Sequence, residues 1–177
     1  MVGSRLQRLQ IRDVRDDDRS WVRATIKERW GDELAVGRGR VWTPHELPGV
    51  LAIDEFGERL GLATYVVEGA VAELVSIDAL RPGTGIGRQL VEAVAAAARA
   101  AGAERLLVMT TNDSLVALRF YQRMGFRLAE LRPGAVDAAR ASVKPSIPVT
   151  GNDGIPIRDE IDLALDLDES STTAMGR

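Results

Sequence analysis

The stretch Leu80-Arg81-Pro82-Gly83-Thr84-Gly85-Ile86-Gly87-Arg88 stands between a strand-like run and an alanine-rich helical segment. Glycines at 83, 85 and 87 let backbone N–H groups converge, and the helix N-terminus that follows adds partial positive charge, so the turn reads as a cradle for a phosphate or pyrophosphate. It is not a Walker loop, because no Gly-Lys-Ser/Thr follows. It is a poor dinucleotide fingerprint, because Leu90 stands where the third glycine would fall. The plain alternative is a turn that merely tightens a helix start, and the neighbouring segments decide between the two.

Upstream of the turn, Gly49 to Ile53, Leu60 to Val67 and Val71 to Ala79 are strand-like runs separated by Glu55 to Glu58 and by Glu68-Gly69, the pattern of an antiparallel meander. Downstream, Gly85 to Ala101 is helical, Gly102 ends it, and Arg105 to Thr111 is a strand, completing a strand, helix, strand crossover. A second helix, Ser114 to Met124, carries Ala117, Phe120, Tyr121 and Met124 on one face and leads into a strand from Phe126 to Leu131. Ile157 to Leu167 is the last strand. Between these two strands lies an insertion, Arg132 to Pro156, with a short helical piece near Ala135 to Val143. At the other end, Arg5 to Val14 reads as a first strand, Asp16, Asp17 and Asp18 as caps for a helix to Trp30, and Gly37 to Gly49 as a loop or broken helix. The expected class is α+β, a mixed sheet open near the crossover, forming one domain over residues 1–167 with a disordered tail at 168–177.

Composition narrows the function. With 23 basic and 26 acidic residues in 177, the net charge of -3 offers no global field for nucleic acid or an anionic membrane. The absence of cysteine excludes disulfides, thiolate metal sites and a cysteine nucleophile. The one histidine, His45, lacks a zinc-helix partner and reads as a loop residue, so no metal is expected. No secretory h-region precedes Gln10 and no apolar run is long enough to span a bilayer, which points to the cytoplasm.

The crossover turn and the string Asn112-Asp113-Ser114-Leu115-Val116-Ala117-Leu118-Arg119-Phe120-Tyr121-Gln122-Arg123-Met124-Gly125-Phe126 together resemble the two signatures of the GNAT superfamily of acyl-CoA-dependent N-acetyltransferases. Gly85-Ile86-Gly87 matches the superfamily's Gln/Arg-x-x-Gly-x-Gly/Ala loop, although Pro82 stands at its first position and Arg81 one place earlier. Tyr121 to Phe126 matches Tyr-x-x-x-Gly-Phe, although Ser114 stands where an asparagine is usual and Asn112 lies two residues upstream. The resemblance implies acetyl-CoA as acyl donor, its pyrophosphate on the amides of Gly83, Thr84, Gly85, Ile86, Gly87 and Arg88, and its pantetheine arm along the backbone of Val75 and Ile77. Asn112 or Ser114 would also meet the cofactor.

The same resemblance implies direct attack by an amine. Tyr121 would give a proton to the departing thiolate, and Glu73, read as sharing a strand face with Val75 and Ile77, or water would take one from the amine. The expected acceptor pocket comprises the Gly37 to Gly49 loop, Glu73 and the insertion with Asp159, whose carboxylates suit a cationic acceptor. Acceptors remain open among small molecules, peptide N-termini and lysine side chains, and a homodimer is a family expectation. The rival readings are a catalytically idle acyl-CoA-binding or regulatory module and, more remotely, a nucleotide-binding oxidoreductase.

Overall fold

A computed structural model describes residues 9–167. Nine strands and four α-helices follow one another as β1 (Gln10–Asp13), α1 (Arg19–Trp30), β2 (Ala35–Gly37), β3 (Arg40–Trp42), β4 (Gly49–Ile53), β5 (Arg59–Glu68), β6 (Val71–Ala79), α2 (Ile86–Ala100), β7 (Arg105–Thr111), α3 (Leu115–Arg123), β8 (Arg127–Arg132), α4 (Ala135–Ser142) and β9 (Glu160–Asp166). Seven strands form one sheet in the order β1-β4-β5-β6-β7-β9-β8, while β2 and β3 make a separate hairpin. Strands β4, β5 and β6 are the antiparallel meander, β6 and β7 are parallel across α2, and β9 pairs antiparallel with both β7 and β8. This is the expected mixed sheet.

Helix α2 covers one face of the sheet because its apolar positions recur at helical spacing. Leu90, Val91, Val94 and Ala98 are fully buried against Ala63, Leu74 and Leu106, and each larger aliphatic side chain so buried contributes about 1.5–3 kcal/mol. Helix α1 covers the other face through Val22 and Ile26, set on Leu51 and Leu62.

Strand β6 departs from simple alternation. Thr64 of β5 faces Ser76 and Tyr65 faces Leu74, so Val75 is an extra residue, a β-bulge. Glu73 pairs with Val66 and Ile77 with Ala63, three residues apart on β5, so Glu73 and Ile77 lie on opposite faces rather than on the shared face expected from spacing. A bulge bends its strand, and here it sits where pairing with β7 stops at Leu74 and Val108. Beyond that point the two parallel strands separate.

Other expectations need correction. The segment read as a loop at 37–49 is partly the β2–β3 hairpin, closed by Arg38 and Gly39 at φ 55° and 70°. Two successive left-handed residues make the turn that matches strand twist, and an arginine in that conformation gave no sequence signal. The first strand is shorter than 5–14, its residues 5–8 lying outside the described part, as does the tail at 168–177. The last strand begins at Glu160, not Ile157. Asp18 is more than a cap: it is 2% exposed and joins β1 to β5 by accepting from Arg12 at 2.6 Å and Arg59 at 2.8 Å, besides the Arg15 amide at 3.0 Å. Among the described residues no helix is long and apolar enough to cross a membrane.

Candidate active site

The gap between β6 and β7 opens into a cavity of about 560 Å³. Leu74, Val75, Ser76 and Ile77 form one wall, and Val108, Met109, Thr110 and Thr111 form the other. Backbone groups of β6 that face β7 beyond Leu74 have no ladder partner there, so an extended ligand can bind them as an added strand would. Val75 and Ile77 both line this cleft.

Between β6 and α2, Gly83 and Gly85 have φ of 77° and 82°, and Gly85 is the residue before the first turn of α2. The amides of Ile86, Gly87 and Arg88 belong to the first turn of α2, ahead of the first intrahelical bond from Gln89 to the Gly85 carbonyl. Thr84 braces the turn by donating its hydroxyl hydrogen to the Arg81 carbonyl at 2.6 Å. The Arg81 guanidinium pairs with Glu58 at 3.0 Å. A Cβ at Gly87 would touch the Phe120 ring at 3.5 Å, so the turn abuts α3 next to Tyr121.

Tyr121 lines the cavity from α3 and is 5% exposed, its ring packed edge-on to Phe120 and tilted against Phe126 at centroid distances of 5.1 and 5.4 Å. Burial, and secondarily the negative charge of Asp78, hold its hydroxyl well above the usual phenol range. It is therefore a neutral hydrogen-bond donor at physiological pH. Ser114 also lines the cavity. Asn112 does not: its amide donates to the Pro156 carbonyl at 2.9 Å and its oxygen accepts from the Arg158 and Asp159 amides at 2.9 and 3.0 Å, tying the end of β7 to the strand lead-in. Of the two residues left open by the sequence, Ser114 is the one on the cleft.

The acceptor side differs from expectation. Asp159 accepts from the Gly134 amide at 2.8 Å at the start of α4 and is absent from the cavity wall. Glu73 is half-buried one position before the wall residues Leu74 and Val75, and burial is the largest reason its carboxyl titrates above the usual range, with Arg38 and Arg40 opposing. The insertion does contribute, through Val136, Ala139, Lys144 and Ile147, and the hairpin through Ala35 and Val36.

Three charged residues on the wall were missed. Glu160, on β9, is 3% exposed and accepts from the Arg38 amide and Arg132 Nε, both at 3.0 Å. Lys144 and Arg29 are the others, Arg29 being held with Trp30 on Asp78 at 2.6 and 2.7 Å. Glu160 and Asp162 alternate with the apolar row of β9 and so read as a solvated face; only the arrival of Arg132 and Arg38 buries them. Cations and a carboxylate ion-paired to Arg132 line this wall, not the carboxylates expected for a cationic acceptor.

Comparison with known proteins places this geometry. Residues 38–128 match the model of the acetyltransferase (GNAT) domain. The uncharacterized protein YdhI of Bacillus subtilis (strain 168) is 39% identical over 135 residues, spanning 76% of this chain and 83% of that one. A Bacillus subtilis acetyltransferase solved in complex with CoA shares the fold at TM-score 0.63 and 20% identity, over 90% of this chain and 98% of its own. A GNAT family acetyltransferase from Elizabethkingia anophelis with acetyl-CoA bound does so at TM-score 0.64 and 19% identity, over 89% and 97%.

Proposed function

The chain belongs to the GNAT family of acetyltransferases, and on that basis we propose that it moves an acetyl group from acetyl-CoA to an amine by direct attack in a ternary complex. The observation that carries this reading is the separation of β6 from β7 beyond Leu74, with the α2 turn at one end and Tyr121 inside. The amides of Gly83 to Arg88 hold the pyrophosphate, and the open edge at Val75 and Ile77 holds the pantetheine arm and polarises the thioester carbonyl.

The amine nitrogen bonds to the acetyl carbon and the C–S bond breaks. The amine's surplus proton goes to Glu73 through water, or to water alone, and CoA leaves as a thiolate that takes its proton from solvent. A thiol of pKa about 8.5 is a better acid than a phenol of about 10 before any burial, so Tyr121 acts as a hydrogen-bond donor to sulfur while charge develops rather than as a full proton donor. An idle acyl-CoA-binding module would share the turn and the cleft but release no thiol.

The test is a panel of amines with acetyl-CoA, following free thiol. Turnover with any of them is the expected result, and acyl-CoA binding without turnover would favour the idle module. With an accepted amine, the acid limb of kcat/KM should lie above the pH of an ordinary glutamate, because Glu73 is active only when ionised and burial raises the pH at which it ionises. Glu73→Gln should lower the plateau by roughly 10- to 10²-fold and remove that limb; an unchanged profile assigns the proton to water.

The turn has its own test. A Cβ at Gly85 meets nothing within 4 Å, but the left-handed backbone costs any other residue about 1–2 kcal/mol. Gly85→Ala and Gly85→Glu should therefore lose similar stability. Only the glutamate variant should bind acetyl-CoA at least about tenfold more weakly by calorimetry, since a carboxylate then opposes the pyrophosphate. Equal affinity in the two variants removes the phosphate site from this turn.

A further inference from the structure

Resting on the acyl-transfer reading, we infer that the acceptor is a compact amine that also carries an acidic group, its amino end met by Glu160 and its acid end by Lys144. Both residues line the same cavity, and the wall shared with them is apolar: Val36, Val136, Ala139 and Ile147.

Glu160 is held by one oxygen only. Its Oε2 accepts from both the Arg38 amide and Arg132 Nε, whereas no hydrogen bond within the described residues reaches Oε1. The other two arms of Arg132 go to Asp162 at 2.7 and 2.8 Å. The carboxylate is thus fixed in orientation with an acceptor oxygen to spare on a cavity wall, the arrangement that receives an N–H donor without reorganising.

Lys144 is the complementary case. Its side chain is 11% exposed; one N–H donates to the Leu34 carbonyl at 2.8 Å, and Asp32 is 3.9 Å away, too far for a hydrogen bond. Burial disfavours its charge more than Asp32 supports it. An ammonium with donors to spare and incomplete compensation is a site for an anion. Arg29, the other cation on the wall, is already committed to Asp78 at 2.6 Å. An ion-paired carboxylate with an acceptor oxygen to spare and an under-compensated ammonium, joined by an apolar wall, describe an amino-acid-like zwitterion with a carbon frame between its ends. A cavity of about 560 Å³ that must also admit the acyl arm limits that frame to a small one.

The experiment measures kcat/KM by thiol release for α- to ω-amino acids, each against the alkylamine that lacks its carboxylate. At least one amino acid should exceed its counterpart by about tenfold or more, as expected for a charge-assisted hydrogen bond. Lys144→Met should bring that ratio to within about threefold of unity and Lys144→Arg should restore it, while Glu160→Gln should raise the KM of the preferred acceptor about tenfold. Wild-type enzyme that turns over alkylamines as well as their acid-bearing partners overturns the inference and leaves the acetyl transfer standing, and this comparison needs no variant to fold. A preference that survives Lys144→Met also overturns it. No thiol release with any amine removes the acetyl-transfer reading itself, and the inference with it.

Discussion

Replacing Tyr121 by phenylalanine is expected to lower kcat by about 10- to 10³-fold while acetyl-CoA affinity stays within about twofold of wild type. The separation of the two effects follows from where the ring and the hydroxyl lie. The ring is packed by Phe120 and Phe126, and phenylalanine keeps those contacts. The hydroxyl reaches the cavity that the thioester would enter, and its donation strengthens only as sulfur gains negative charge, so it acts on the transition state more than on the bound donor. Because burial holds the hydroxyl protonated beyond the ordinary phenol range, the wild-type rate should show no alkaline fall attributable to Tyr121 below about pH 10. Steady-state and single-turnover kinetics with an amine whose chemical step limits the rate provide the measurement. An unchanged kcat gives the sulfur-facing role to another donor.

Asp18→Asn should produce the largest loss of stability from a single isosteric change, about 3 kcal/mol at pH 7, or roughly 6–12 °C in Tm for a chain of this size. Asparagine fits the space but leaves two guanidinium groups, Arg12 and Arg59, facing a site that no longer carries negative charge. They are 20% and 33% exposed and can partly turn to water, which sets the cost at the lower end for breaking a buried pair. The pH dependence fixes the cause. Hydrogen bonding from Arg12 is the foremost reason the Asp18 carboxyl is held far below its usual range. A lowered folded-state pKa gives stability that is complete above the unfolded value of about 3.9 and is lost as pH falls below it. The gap between wild type and variant in chemical denaturation should therefore be full from about pH 5 upward and shrink in stronger acid. A gap independent of pH would mean that shape, not charge, accounts for the loss.

Much of the fold was legible because its signals are local. Gly85 before an alanine-rich helix, Gly102 after it, and Met124-Gly125 closing the tyrosine helix each mark a boundary by backbone conformation or helix propensity. The residues proposed to hold the cofactor were legible for the same reason, since Val75, Ile77, Tyr121 and the glycine turn lie within one contiguous supersecondary unit. The residues proposed to meet the acceptor were not. Glu160 reaches the wall because β9 inserts between β7 and β8, and it is buried by arginines that lie 28 residues away in Arg132 and 122 away in Arg38. Lys144 arrives on an insertion whose path no periodicity describes. Asp18 looked like a helix cap because its local bond to the Arg15 amide is one, while its partnership with Arg59 spans 41 residues. Nor could alternation along Val71 to Ala79 reveal the bulge, because an unpaired valine looks like any other strand valine until β5 is laid beside it.

That unpaired valine also bears on how such a protein can change over generations. Every other side chain of β6 is assigned to its face by pairing with β5, and those pairings run in order on either side of Val75. A one-codon deletion there would leave the hydrophobic faces in phase and the core compatible with folding, yet it would straighten the strand and let β6 continue alongside β7. The cleft depends on the number of residues in that strand as well as on their kinds, so loss by a length change at Val75 is a shorter mutational path than loss by replacing the residues that line it.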